Sequence, residues 1–226
     1  MTPATPPIST SGSTSIPAEL RFPVVSAEEI VVPHLAPQAQ VPLVTSVRGT
    51  VIVASLRGLR SRGYGEQYME ALEPRFRDTV ASLTAATWLP IDFGIAHYEA
   101  CDRLDLDRTT IEEIGAESAR FINETILSVV VKLSTQSGVT PWFCLSYANK
   151  LCTRTWVGSS FAGFRVGPKE ARLEWIQQPA ARYRYFRMAF GAFSAAICRL
   201  FAQTLYVREM PNRSSNTSVS YRISWV

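Results

Sequence analysis

Hydrophobic and polar positions alternate in two distinct periods along this chain, and the period changes near its middle. From Glu66 to Thr79 the apolar positions Tyr68, Leu72, Phe76 and Val80 recur every four residues, the spacing of one helix face. Pro74 splits that stretch into two pieces, because proline lacks the N–H a helix interior needs. Upstream, Val47 to Arg62 predicts a strand at Val51-Ile-Val that continues as a helix. Trp88-Leu-Pro-Ile opens a further helix with Pro90 in its first turn, where the missing N–H does no harm. Ile91, Ile95, Tyr98 and Asp102 share one face of it. His97 falls off that stripe, beside Phe93 and Cys101.

The longest pattern runs from Thr109 to Leu133, a helical stripe of more than six turns with Thr109-x-x-Glu112 and Thr110-x-x-Glu113 as capping boxes. Such a helix needs a large apolar partner, so it is expected at the centre. Pro141 to Thr155 reads as another helix. The period then drops to two. Phe161–Val166 and Ala171–Ile176 flank Gly167-Pro168 and predict a hairpin. Tyr185 to Ala202 returns to helical spacing with a heavy aromatic face. Thr204–Arg208 and Ser218–Val226 predict a second hairpin, with Val219, Tyr221, Ile223 and Trp225 on one side. The order indicates an α+β fold: N-terminal helices followed by a C-terminal antiparallel β-β-α-β-β unit.

Composition changes this picture at one end. Residues 1–45 hold 8 of the 14 Pro and a crowd of Ser and Thr, a mixture that buries too little apolar area to offset chain entropy. A disordered tail over 1–45 and one ordered domain over 46–226 are expected. The apolar patches Phe22–Val25 and Ile30–Leu35 are candidates to dock on that domain as extended segments. No stretch of about 20 apolar residues occurs, so no membrane-spanning helix is expected. The first residues lack the basic and apolar regions of a secretory signal. The four Cys lack CxxC spacing, and reduced thiols in a cytoplasmic protein are expected.

Formal net charge is +4 over 226 residues, and residues 46–226 carry 22 basic against 16 acidic groups. Of the 23 basic residues 20 are Arg, whose fork suits anionic partners. Arg57, Arg60 and Arg62 cluster, as do Arg182, Arg184 and Arg187 around Tyr183 and Tyr185. Arg interleaved with aromatics can bind nucleic acid through phosphates and stacking, yet the charge falls short of a strongly basic footprint.

Catalytic chemistry finds little support. Gly158-Ser-Ser-Phe-Ala162 lacks the last Gly of a nucleophile elbow and its strand–helix context. His34 and His97 are the two histidines, too few for a structural zinc site without close Cys pairs. Haem needs one proximal ligand, and His97 is the candidate.

Several short motifs occur in a telling order: Val47-Arg-Gly, Trp88-Leu-Pro90, Ile114-Gly115 to Phe121-Ile122, Thr140-Pro141, Trp156 with Gly158, and the alternating end from Ser218 to Val226. Together they resemble an uncharacterised bacterial domain family that is distantly similar to the haem-NO-binding and 4-vinyl-reductase-like superfamily. The resemblance covers about 46–226. It implies helices followed by an antiparallel sheet with an apolar pocket between them, taking haem or a small hydrophobic ligand and signalling to a protein partner. The haem branch carries a Tyr-x-Ser-x-Arg signature for the propionates, which does not occur here. The reductase branch carries a C-terminal Cys cluster, whereas here Cys198 stands alone.

The expected function is therefore a non-enzymatic sensory or interaction module. Its pocket candidates are Trp142, Trp156, Phe186, Phe190, Phe193 and His97. A haem-binding gas sensor through His97 and nucleic-acid binding through the Arg clusters are the alternatives. No resident cofactor is expected apart from haem in the first alternative, and homodimerisation stays open.

Overall fold

Asp107 begins the longest described helix. Its carboxylate accepts the Thr110 N–H at 3.0 Å, so Asp107 caps the helix and the expected Thr capping boxes do not form. A computed structural model describes residues 28–125 and 140–226. The helices are α1 (Gly49–Ser61), α2 (Gly65–Ala71), α3 (Arg77–Ala81), α4 (Ile91–Arg103), α5 (Arg108–Thr125), α6 (Pro141–Ser146), α7 (Ala148–Thr155) and α8 (Arg184–Cys198). The strands are β1 (Glu29–Val32), β2 (Ser46–Arg48), β3 (Trp88–Pro90), β4 (Trp156–Val157), β5 (Ser160–Gly167), β6 (Glu170–Ile176), β7 (Leu205–Glu209) and β8 (Ser218–Trp225). This is the α+β order the pattern predicts, with β5-β6-α8-β7-β8 at the C-terminal end. Residues 126–133 of the expected long helix and the Phe22–Val25 patch lie outside the described residues.

Three boundaries differ from the sequence reading. The strand precedes Val51, since β2 is Ser46–Arg48 and α1 begins at Gly49. Ile52, Leu56 and Leu59 bury at helical spacing, and that packing overrides the β preference of Val51-Ile-Val. Trp88–Pro90 is a strand, because Leu89 pairs with Val47 on β2, and α4 starts just after Pro90. Pro141 to Thr155 forms two helices that meet at Tyr147.

The main sheet has five antiparallel strands in the order β1-β5-β6-β8-β7. Phe161 pairs with Trp175, Trp175 with Val219, and Leu173 with Tyr221, so large apolar residues align across one face. Val219, Tyr221, Ile223 and Trp225 are all buried, as the alternation requires. A smaller sheet, β3-β2-β4, ties the helical part to the start of β5.

The Pro-rich segment supplies the edge. Ile30 pairs with Phe164 and Val32 with Gly163, and Leu35 N–H donates to Ser160 Oγ at 2.8 Å. The expected boundary at residue 46 thus lies inside structured chain. Its proline density rules out a central strand, yet Glu29–Val32 contains no proline and an edge strand needs partners on one side only. Arg172 on β6 is buried and meets Glu28 at 2.7 Å.

α8 lies on the sheet and α5 crosses α8. A Cβ on Gly115 of α5 would fall 2.1 Å from the Ala189 carbonyl oxygen of α8, so only glycine permits this approach. α1 packs behind α5, where Gly58 meets Ile114.

Candidate functional site

The aromatic residues of α8 and the sheet stack without filling the space beneath α5 and α7. Phe190 lies 4.6 Å from Trp175, 5.9 Å from Phe186 and 5.8 Å from Phe193, centroid to centroid. An apolar cavity of about 140 Å³ remains among these rings. Trp156, Phe186, Phe190 and Phe193 line it. Trp142 does not. It packs edge-on against Trp225 at 4.9 Å under the Arg165 guanidinium, and its indole N–H donates to Pro168 O. A space of this size matches cavities that stay dry and admit benzene or xenon.

Most of the wall is apolar, with several hydroxyls among it. Ser55 of α1, Tyr98 of α4 and Tyr185 of α8 are three of the hydroxyl residues, with Ser118, Tyr147, Thr155 and Ser194 also on the wall. Ser55 Oγ and the Tyr185 hydroxyl are 2.8 Å apart, and Ser55 Oγ is 3.0 Å from His97 Nε2. His97 Nδ1 in turn lies 3.0 Å from the Tyr68 hydroxyl. Four side chains on α1, α2, α4 and α8 therefore share one buried polar chain. Sequence reasoning missed Ser55, Tyr68 and Tyr185, because isolated hydroxyls on helices carry no spacing signal.

His97 is wholly buried, as are its helix neighbours Phe93 and Cys101. The stripe predicted for α4 is thus too narrow: α4 is covered on both flanks, so its buried face includes His97. Burial alone pulls the imidazole down to about 3, so it stays neutral at ordinary pH. Burial likewise pushes the Cys101 thiol up, although its sulfur is 3.7 Å from His97 Nε2. A serine beside a histidine invites a catalytic reading. The carboxylate that would stabilise an imidazolium is replaced by Tyr68, and so weak a base leaves the Ser55 proton in place.

The residues present do not fit haem. His97 is absent from the cavity wall, and both its ring nitrogens already have partners. The remaining histidine, His34, sits at the sheet edge 3.7 Å from Glu174. A benzene-sized space does not seat a four-pyrrole macrocycle. Tyr183-x-Tyr185-x-Arg187 keeps the outer places of the propionate signature, with Tyr for Ser, a near match that a literal reading of the motif passes over. Its side chains are turned to other tasks. Tyr183 donates to Glu99 at 3.4 Å, Tyr185 belongs to the buried chain, and Arg187 donates to Ala181 O at 3.0 Å and pairs with Glu209. Among the described residues no group of three or more His, Cys, Asp or Glu side chains is placed to hold a metal ion.

The Arg clusters are largely engaged within the protein. Arg62, just past the end of α1, pairs with Glu113 and Glu117 of α5, and Arg57 lies over the Phe121 ring. Arg184 donates to Leu106 O and Arg182 to Pro179 O. Arg60 borders a shallow groove with Val80 and Leu83. No helix among the described residues is long and apolar enough to cross a membrane.

Neither a family model nor a curated protein matches the chain. Solved structures do. An Fe(II) unliganded H-NOX mutant from K. algicida superposes with a TM-score of 0.57 at 9% identity, covering 79% of this chain and 96% of that one. A mutant of T. tengcongensis H-NOX gives 0.53 at 12% identity, covering 79% and 97%. An oxygen-binding H-NOX domain related to soluble guanylate cyclases, in its oxygen complex, gives 0.52 at 12% identity, covering 79% and 94%. At such identities the likeness is one of fold: this chain has the architecture of an H-NOX domain.

Proposed function

We propose that the protein is a non-enzymatic sensory module that takes a small apolar ligand, without haem, in the cavity between α5, α7, α8 and the sheet, and passes the event to a protein partner. The observation that carries this reading is the cavity itself, a benzene-sized space walled by stacked aromatics. The likeness to H-NOX domains supports it, since a fold that encloses a ligand elsewhere encloses one here by other means. Gly115 lines the same cavity at the α5–α8 crossing, so an occupant bears on the packing of two central helices. Such a packed interface has few intermediate arrangements, which is what a switch requires. Residence in the cytoplasm belongs to the same proposal.

Thermal unfolding in the presence of toluene tests it. Binding to the folded state alone stabilises by RT ln(1 + [L]/Kd), about 2.7 kcal/mol at a hundredfold excess over Kd. Tm is expected to rise with toluene. Ser194→Leu, which enlarges a buried side chain of the cavity wall, is expected to abolish that rise. No shift across toluene, benzene and indole would overturn the reading.

A further inference from the structure

Tyr98 lines the cavity at 5% exposure. Its ring is clamped by Phe186 at 5.0 Å, His97 at 5.0 Å and Trp156 at 6.4 Å. Among the described residues its hydroxyl has no hydrogen-bond partner, whereas the neighbouring Ser55 and Tyr185 hydroxyls bond each other. The residue is buried but its hydroxyl oxygen keeps some accessible surface, and a polar group so placed without a protein partner calls for an explanation. A ligand that supplies the missing partner is one.

The neighbouring network points the same way. Tyr68, neutral His97, Ser55 and Tyr185 carry four exchangeable hydrogens, one each, and share three hydrogen bonds. One hydrogen is therefore left at an end, on Tyr68 or on Tyr185. When Nε2 of His97 donates to Ser55, the spare hydrogen is on Tyr185 at the cavity wall. The Cys101 sulfur is within hydrogen-bonding reach of that hydrogen, which leaves Tyr98 as the phenol without a partner.

Resting on the cavity reading above, we propose that the ligand is a small apolar molecule bearing a hydrogen-bond acceptor, a carbonyl or nitrile, to which the Tyr98 hydroxyl donates. The aromatic wall holds the apolar body and Tyr98 fixes its orientation. A purely hydrocarbon ligand leaves Tyr98 unpartnered, so the site discriminates by whether the ligand carries an acceptor that reaches Tyr98.

The test compares benzonitrile with phenylacetylene, which share a shape and differ in the acceptor nitrogen. Affinities are read by calorimetry on the full chain. The wild type is expected to bind benzonitrile roughly threefold to tenfold more tightly, the net worth of one hydrogen bond. Tyr98→Phe keeps the ring, and is expected to bind both compounds with the wild-type affinity for phenylacetylene. Ser118→Ala is the control. Its hydroxyl lines the same cavity but donates to Ile114 O at 2.8 Å, so the preference is expected to persist. The nitrile stretch of bound benzonitrile is expected to carry a hydrogen-bond shift that Tyr98→Phe removes. Equal binding of the two compounds, or a preference that survives Tyr98→Phe, overturns the acceptor proposal and leaves the cavity reading standing. Failure of both compounds to bind overturns the two together.

Discussion

Ser55 Oγ on α1 and His97 Nε2 on α4 are 3.0 Å apart, both side chains are buried, and that bond joins the two helices. Ser55 also serves the Tyr185 hydroxyl of α8. Replacing it with alanine strands two buried polar groups at once. Ser55→Ala is expected to cost about 1–3 kcal/mol, the penalty for leaving a buried group unsatisfied. The midpoint of urea unfolding measures it, and an unchanged midpoint would show the network to be idle.

The same histidine sets a pH dependence. In the unfolded chain an imidazole titrates near 6.5, while in the folded protein burial holds His97 near 3. Between those values the unfolded state binds the extra proton. Stability is therefore full above about pH 6.5 and falls as pH drops, with a slope of about 1.4 kcal/mol per pH unit. Glu28, Glu117 and Glu170, all held below the usual carboxylate value of 4.5 by their arginine partners, add their loss only at more acid pH. Burial also lowers His34 at the sheet edge, so unfolding free energies between pH 6.5 and 5 report both histidines and the variant separates them. His97→Gln is expected to lower stability at pH 7 and to flatten the slope.

Gly115→Ala tests the helix crossing. The new methyl would overlap the Ala189 carbonyl, which is backbone and moves only with α8 as a whole. An overpacking cost on the order of 1–3 kcal/mol is expected. A drop in Tm together with weakened toluene binding confirms that the crossing shapes the cavity. Wild-type behaviour in both would place the crossing elsewhere.

Glu28 anchors the edge strand to Arg172, whose side chain is 5% exposed and lies over the Phe164 ring at 3.7 Å. Glu28→Gln leaves that charge without its main partner. The carboxylate is 27% exposed, so about 2 kcal/mol is expected rather than the larger loss of a wholly buried pair. Arg172→Met, which removes the charge and keeps an apolar stem, is expected to cost less. Chemical denaturation of the two variants decides the order.

Incubation with haemin is expected to yield no Soret band, because both His97 nitrogens are engaged and the cavity is too small. A band that disappears in His97→Ala would mean that the polar chain opens to release a ligand nitrogen.

The hairpins and α8 were legible because their signals are local. Alternation of Phe161–Val166, Ala171–Ile176 and Ser218–Val226 places every second side chain on one face whatever else the chain does. The inward placement of Trp156, Phe186, Phe190 and Phe193 was legible for a related reason, since large rings favour the faces turned from water. Trp142 looked equivalent in sequence, but α6 carries it to the end of the sheet, against Trp225. The role of His97 was the least legible. The periodicity of α4 places it beside the apolar stripe, and only the helices packed around α4 turn that flank into core.

Taken alone, the order of residues determined the elements, the α+β class and the face each strand buries, because backbone geometry repeats every two or 3.6 residues and side-chain type follows it. Tertiary structure decided what the interior holds. Ser55, Tyr68, His97 and Tyr185 come from four helices and are far apart in the chain, so no spacing rule relates them. Whether rings fill a core or leave room depends on how closely two helices cross, and that distance was set by the absence of one side chain at Gly115.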